Sequence, residues 1–258
     1  VSAQAHSQFL PSSALVRAMM GSSMRHPIDS EDIWRRVDSV PGWLTRAQAL
    51  ELVRLVRLTP QANVVEIGSH QGRSTLALAL SDPRAHITAV DPFITARLFN
   101  GPSVRALLLD NLETGGVLAQ VTLLTMRSSE ALRSWTSTRP VDVLYIDGKH
   151  DVVSLLRDMR WRRHIRHGGC IAVHDAFSSI GVTLGLAMTL PFSRTVVLTH
   201  RVGSLAVLHV RRPQVGERLR FLVHVPWFAR NVLIKILLRL GRSTTAGRLG
   251  HTDRFDPY

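Results

Sequence analysis

The sequence predicts an α/β fold, a doubly wound open sheet of seven strands with helices on both faces, five strands parallel and two closing as a C-terminal antiparallel hairpin. Three observations carry that prediction. Between residues 61 and 210, short β-branched apolar runs alternate with helical stretches, the pattern of βαβ units. The last two runs are separated only by Arg201, Val202 and Gly203, too short for a crossover and right for a hairpin. Finally, 258 residues that are 45% hydrophobic hold enough apolar material for one large core.

Residues 1–30 mix Ser, Ala, Met, Pro and His without a sustained period and read as a loose arm with one short helix at 14–20. Helical patterns follow at 31–40 and 45–58, the second opening on Thr45 as N-cap after the Pro41 and Gly42 break, with Leu50, Val53, Leu55 and Val56 on its apolar face. Both are expected to cover the sheet. Strands are predicted at 63–67, 86–90, 121–125, 141–146 and 170–174, and the hairpin at 195–200 and 204–210. Helices are predicted between them at 73–80, 103–112, 129–135, 152–164 and 180–190. The tail at 217–242 starts a helix at Pro226, mostly apolar around a narrow stripe of Asn231, Lys235, Arg239 and Arg242. Three placements stay open for it: packed into the protein, paired with a second subunit in a homo-oligomer, or lying in a membrane interface with its basic side near lipid phosphates. The expected organisation is an arm with cover helices (1–60), a cofactor-binding domain (61–210) and a basic amphipathic extension (211–258).

A single Cys excludes a disulfide scaffold, a cysteine zinc cluster and an iron–sulfur centre. No run reaches the roughly 18 unbroken apolar residues of a membrane span, and no compact apolar stretch of signal type stands in the first thirty residues. The expected location is cytoplasmic, with the tail allowing a peripheral position at the inner face of the cell membrane.

The first strand runs Val64, Val65, Glu66, Ile67, Gly68, and the chain continues through Ser69, His70, Gln71, Gly72, Arg73, Ser74 and Thr75 into a helix. A glycine at the strand end permits a tight turn, and a second one four positions on lets the backbone approach a ligand. A dinucleotide fingerprint needs its middle glycine where this chain has His70, and no Gly-Lys-Ser/Thr phosphate loop is present. The second strand ends on Asp91, where the ribose hydroxyls of a bound nucleoside would lie. Ser128, after the third strand, is a candidate ligand-side residue or a cap for the next helix.

Asp147 and Asp175 close the fourth and fifth strands, neighbours about 4.8 Å apart in such a sheet, so the two carboxylates can converge. With His174 they make a donor set for a hard divalent cation, Mg2+ or another. His150, one turn beyond Asp147, can reach the same space, and an imidazole with an unperturbed pKa of about 6.5 suits a general base.

An acidic strand residue followed by a two-glycine loop resembles the first motif of class I S-adenosylmethionine-dependent methyltransferases. The stretch 142–158, DVLYIDGKHDVVSLLRD, then Trp161, the pair Gly168 and Gly169, and CIAVHDAF at 170–177, resembles methyltransferase family 24, a group that includes O-methyltransferases of sugars and small metabolites. The resemblance covers roughly residues 60–210. It implies a Rossmann-like fold and S-adenosyl-L-methionine as cofactor, held by Glu66, Gly68, Ser69, Gly72, Ser74, Asp91 and Ser128, with Asp91 on the ribose diol. The implied reaction is in-line methyl transfer to a hydroxyl of a sugar, glycolipid or small polar metabolite, with His150 as base beside Asp147 and a divalent ion on Asp147, His174 and Asp175 as an optional assistant. One departure stands out: Val152 and Val153 occupy positions where relatives carry Tyr and Glu, which places the difference in the acceptor pocket.

The formal net charge of +13 invites a nucleic-acid substrate, but it divides as +2 over residues 1–60, +4 over 61–210 and +7 over 211–258. Only Lys149 and Lys235 are lysines, a bias that a GC-rich coding sequence also produces. Exocyclic-amine methylation typically uses an Asn/Asp-Pro-Pro-aromatic turn where this chain reads Asp147, Gly148, Lys149, His150, and pyrimidine-carbon methylation needs a nucleophilic cysteine, whereas Cys170 starts a strand. RNA ribose methylation stays open as an alternative. So does a catalytically inactive membrane-associated accessory, although intact Glu66, Gly68, Gly72, Asp91 and His150 argue against decay.

Overall fold

The computed structural model describes residues 28–95, 100–136 and 138–251. The helix expected at 14–20 lies outside them. Two amphipathic helices come first, α1 (Ser30–Asp38) and α2 (Arg46–Arg57), each with a side-chain cap: Asp29 accepts from Glu31 N, and Thr45 forms a reciprocal capping box with Gln48. Seven strands follow: β1 (Asn63–Ile67), β2 (His86–Val90), β3 (Val121–Leu124), β4 (Val141–Ile146), β5 (Ile165–Val173), β6 (Val196–Val202) and β7 (Leu205–Val210). They form one sheet in the order β3-β2-β1-β4-β5-β7-β6, parallel except for β7, which runs antiparallel to both its neighbours. The order reverses between β1 and β4, and in open α/β sheets ligands bind outside the carboxyl ends of the strands at such a switch point.

The connecting helices are α3 (Arg73–Ser81), α4 (Gly101–Thr114), α5 (Ser128–Arg133), α6 (Val152–Asp158) and α7 (Ile180–Thr189). Successive strand residues point to opposite faces, so each strand feeds two cores. Val64, Val143 and Tyr145 pack with α1, α2 and α3 on one face, and Val65, Leu144 and Ile171 pack with Trp161 and Leu186 on the other. Fully burying each Leu- or Ile-sized side chain contributes roughly 1.5–3 kcal/mol.

Two elements differ from the sequence pattern. The helix expected over 152–164 stops at Asp158 and continues as a 3-10 turn, Met159–His164. β5 begins at Ile165 rather than 170, because Gly168 takes a left-handed φ of 80° and the β4 pairing shifts register there, so the two glycines bend a strand instead of preceding one.

The C-terminal region forms a 3-10 segment (Gly216–His224), α8 (Val225–Arg239) and α9 (Ser243–Arg248). The first two together make a 24-residue helix, Gly216–Arg239, long and apolar enough on average to cross a membrane, although charges interrupt any unbroken run. The first half of its polar stripe, Asn231 and Lys235, turns inward, whereas Arg239 and Arg242 are exposed. Asn231 Nδ2 donates to Phe177 O at 2.9 Å and Lys235 Nζ to Ser178 O at 2.8 Å, while Leu233, Ile236 and Leu240 face outward. Asn231 and Lys235 thus satisfy carbonyls beyond β5 instead of lying on the outer, lipid-facing side.

Candidate active site

At the carboxyl edge the glycine loop is held on both sides. Gly68 N donates to Val90 O at 2.9 Å, and Asp147 N to Ile67 O at 2.8 Å. Gly68 has φ 89°, and a Cβ there would stand 2.1 Å from Asp147 O, so only glycine lets β1 and β4 end this close together. Asp91 secures the other flank: Oδ2 accepts from the amides of Ser69 and His70 at 3.0 Å each, and Oδ1 from Phe93 N at 2.8 Å. A carboxylate offers about four acceptor positions, so these bonds leave room for a further donor.

Two cavities meet on this loop. One of about 510 Å³ is lined by Asp91, Pro92, Ile94, Ser128, Ser129 and Asp158 among others. The second, of about 380 Å³, is lined by Trp43, Ser69, Arg73, Ser74, His150, His174 and Asp175 among others. Gly68, His70, Asp147 and Gly148 border both. Of the expected cofactor residues, Gly68, Ser69, Ser74, Asp91 and Ser128 therefore reach a cavity. Glu66 does not: it is fully buried beneath the loop, where Ser74 Oγ and Thr75 Oγ1 each donate to it at 2.5 Å. Burial pushes its carboxyl up to about 7 against these hydrogen bonds. Gly72 caps α3 with φ 88° and faces Leu108, so its freedom serves the turn into the helix. Ser128 Oγ donates to Asp158, whose carboxyl burial raises to about 6, and Trp161 Nε1 donates to Ser128 O at 3.3 Å.

The structure brings together the four residues read from the ends of β4 and β5. His150 Nδ1 lies 3.0 Å from Asp175 Oδ2 and its Nε2 3.5 Å from Asp147 Oδ1. His174 Nδ1 lies 3.3 Å from Asp147 Oδ1 and 3.7 Å from Asp175 Oδ1, and Tyr145 OH donates to Asp147 Oδ2 at 2.9 Å. Burial alone would raise Asp147, but the His174 charge and the hydrogen bonds from both histidines hold it well below the usual carboxylate range. Burial alone would lower His174, and the Asp147 charge and hydrogen bond outweigh it, raising the imidazole to about 9. The His150 pKa is raised, first by its hydrogen bond to Asp147, with the charges of Asp175 and Asp147 adding to it against burial and His174.

This arrangement does not fit the expected metal centre. A protonated His174 has no lone pair to give, and both carboxylates are already engaged by imidazoles. Among the described residues, no group of three His, Cys, Asp or Glu side chains is placed to hold a metal ion.

Several contributors were not legible as site residues. Trp43, in the Pro-Gly break between α1 and α2, stands over the smaller cavity 53% exposed, its ring 5.9 Å from that of His70. Arg73 fixes that loop, donating to Leu44 O at 3.1 Å and pairing with Asp38 at 2.9 Å. Gln48, buried on α2, lies 3.3 Å from His174 Nε2. Gly181 passes under the His150 carbonyl, where a Cβ would clash at 2.3 Å, and Ser179 Oγ donates to the same oxygen at 3.2 Å. Asp175 and Phe177 take left-handed φ values of 55° and 60°, strained backbone of the kind that clusters at functional sites.

A seven-stranded sheet with a terminal antiparallel pair, a glycine loop after β1 and an acid following β2 are features shared with class I S-adenosylmethionine-dependent methyltransferases. Residues 65–176 match the model of methyltransferase family 24, described as a methyltransferase domain, and this segment is a domain of that family. No curated protein matches the sequence. Solved structures of similar fold include cofactor-bound Rv0187 from MTB, with TM-score 0.55 and 20% identity over 80% of this chain and 100% of that one. Two others are O-methyltransferases. TomG from Streptomyces achromogenes, involved in tomaymycin synthesis and solved with SAM, has TM-score 0.53 and 17% identity over 76% of this chain and 96% of its own. The Bacillus cereus enzyme, solved with SAH, has TM-score 0.53 and 16% identity over 77% and 97%.

Proposed function

We propose that the protein is an O-methyltransferase acting on a hydroxyl of a sugar, glycolipid or small polar metabolite, with His150 as general base. The observation that carries this reading is the His150–Asp175 contact of 3.0 Å in the smaller cavity, beside Asp147, which borders both cavities. The larger cavity suits S-adenosyl-L-methionine: Asp91 keeps an acceptor position for a ribose hydroxyl, Pro92 and Ile94 offer apolar wall for a base, and Gly68 and Asp147 lead into the smaller cavity. When bound, the cofactor supplies a methyl group already activated by the sulfonium. The protein's task is then to orient and deprotonate the acceptor.

Asp175 accepts from His150 Nδ1, which fixes the tautomer, and once the raised imidazole loses its proton from Nε2, the bond from Nε2 to Asp147 is released and that nitrogen can receive the hydroxyl proton. As that proton moves to Nε2, the acceptor oxygen forms its bond to the methyl carbon and the carbon–sulfur bond breaks, its electron pair staying on sulfur. The imidazolium formed is stabilised by Asp147 and Asp175. Trp43 supports a sugar acceptor, because an exposed indole beside polar groups offers a flat apolar platform for a ring.

The outward apolar face of α8, with Leu233, Ile236 and Leu240, favours an acceptor met at a membrane surface. Charged replacements, Leu233→Glu with Ile236→Glu, are expected to reduce co-flotation with anionic vesicles. The function itself is tested by labelled methyl transfer into a cell extract separated into lipid, glycan, RNA and protein. Label is expected in glycan, in lipid or in the remaining small-molecule fraction as an alkali-stable ether; label confined to RNA or protein contradicts the reading.

A further inference from the structure

A hollow of about 850 Å³ opens at the opposite edge of the sheet, where β5 and β6 begin and β7 ends. Arg160, Arg162, Arg163, Arg194, Arg211 and Arg212 line it. They arrive from three separate segments: the 3-10 turn after α6, the link before β6 and the link after β7. Two are occupied locally, Arg162 by Met159 O at 3.0 Å and Arg211 by Glu217 at 2.6 Å. Among the described residues, Arg160, Arg163, Arg194 and Arg212 have no carboxylate partner, and all four are exposed.

Like charges gathered in one concavity repel one another, and a concave wall focuses their field outward. Ile165 and Val210 give the hollow apolar wall that water screens poorly. The arrangement is relieved by an anion that several guanidinium forks can grip at once, and planar forks match phosphate oxygens two at a time.

We propose that this hollow binds a phosphate-dense anion, a pyrophosphate or oligophosphate group carried by a soluble metabolite or by a lipid headgroup. The cations converge on one cavity instead of tracking a stripe, which fits a compact group better than an extended nucleic-acid backbone. A neighbouring hollow of about 540 Å³ shares Arg160, Arg162, Arg194 and Thr195 and continues along Leu156, Met188 and Phe192, so an apolar body attached to the phosphates has a place to lie. Phe192 is 78% exposed at its rim. Ile165 pairs with Val141 and Val173 with Ile146, five strand steps apart, so the hollow lies roughly 17 Å or more from the carboxyl edge and is separate from the methyl-transfer site.

The test is calorimetric titration of the full chain with inorganic tripolyphosphate at low salt, alongside flotation with vesicles containing or lacking a phosphoinositide. Wild type is expected to bind one of these probes, and Arg160→Gln with Arg194→Gln to weaken that binding by at least about tenfold while S-adenosylmethionine affinity and melting temperature stay unchanged. Arg163→Glu with Arg212→Glu provides the same readout should the first pair fold poorly. Tripolyphosphate binding assigns a soluble ligand, and phosphoinositide-dependent flotation alone a lipid headgroup. Absence of binding to both probes, or equal binding by wild type and variants, overturns the proposal. So does a 20-nucleotide RNA that binds more tightly than either through the same arginines.

Discussion

The two edges of the sheet carry opposite electrostatic designs. At the carboxyl edge, Asp147, His150, His174 and Asp175 pair within 3.0–3.7 Å, partly or wholly out of water. At the amino edge, four arginines stand in a hollow with no carboxylate to neutralise them among the described residues. The first arrangement pairs its charges internally, so its protons are held at defined atoms. The second is unbalanced and is completed only by an anion from outside. One mixed sheet supports both because its two ends open in opposite directions.

The carboxyl edge is most sensitive at Gly68. Gly68→Ala pushes a Cβ into Asp147 O at a φ of 89°, so a loss of more than about 4 kcal/mol of stability is expected by denaturant titration, with turnover abolished. Glu66→Gln probes the same edge through pH. The Glu66 carboxyl titrates at about 7 when folded against 4.5 as the ordinary value, so the folded state binds more protons between them and wild-type stability falls as pH rises from 4.5 through 7. Removing the titration should flatten that fall, worth about 3 kcal/mol, in melts recorded from pH 5 to 8.

Smaller effects sharpen the division of labour. Trp43→Ala should raise KM for the acceptor about tenfold with kcat nearly unchanged, as expected for lost uniform binding. His150 must be neutral to act, and Asp147, Asp175 and His174 together set its raised pKa. The kcat/KM profile should therefore climb as pH rises through a value above 6.5, and Asp175→Asn, which removes one raising charge, should move that limb to lower pH. Least of all, Arg160→Gln with Arg194→Gln should leave methyl transfer to a neutral acceptor unaltered.

How legible these edges were in the sequence follows from how local their causes are. β1 to β4 follow their apolar runs closely, and the convergence of Asp147 and Asp175 on one space followed from strand adjacency alone. β5 ran longer than its apolar run because Gly168 and Gly169 bend within it. Gln48 reaches His174 across 126 residues, a contact made only by packing, although a glutamine on the buried side of an amphipathic helix was its visible trace. Glu66 carried the motif yet lies under the loop, since spacing shows which residues gather and not which way each side chain turns. The arginine hollow was hidden in a regional charge of only +4 for residues 61–210, because Arg160, Arg163 and Arg194 are balanced in number by acids placed elsewhere.

The central claim is that the carboxyl edge deprotonates an acceptor through His150. The most direct measurement is His150→Ala, with methyl transfer and S-adenosylmethionine affinity determined on the same preparation. Turnover is expected to drop by about 10²–10⁴-fold with the dissociation constant for the cofactor unchanged. Turnover within about twofold of wild type, at equal cofactor affinity, would contradict it.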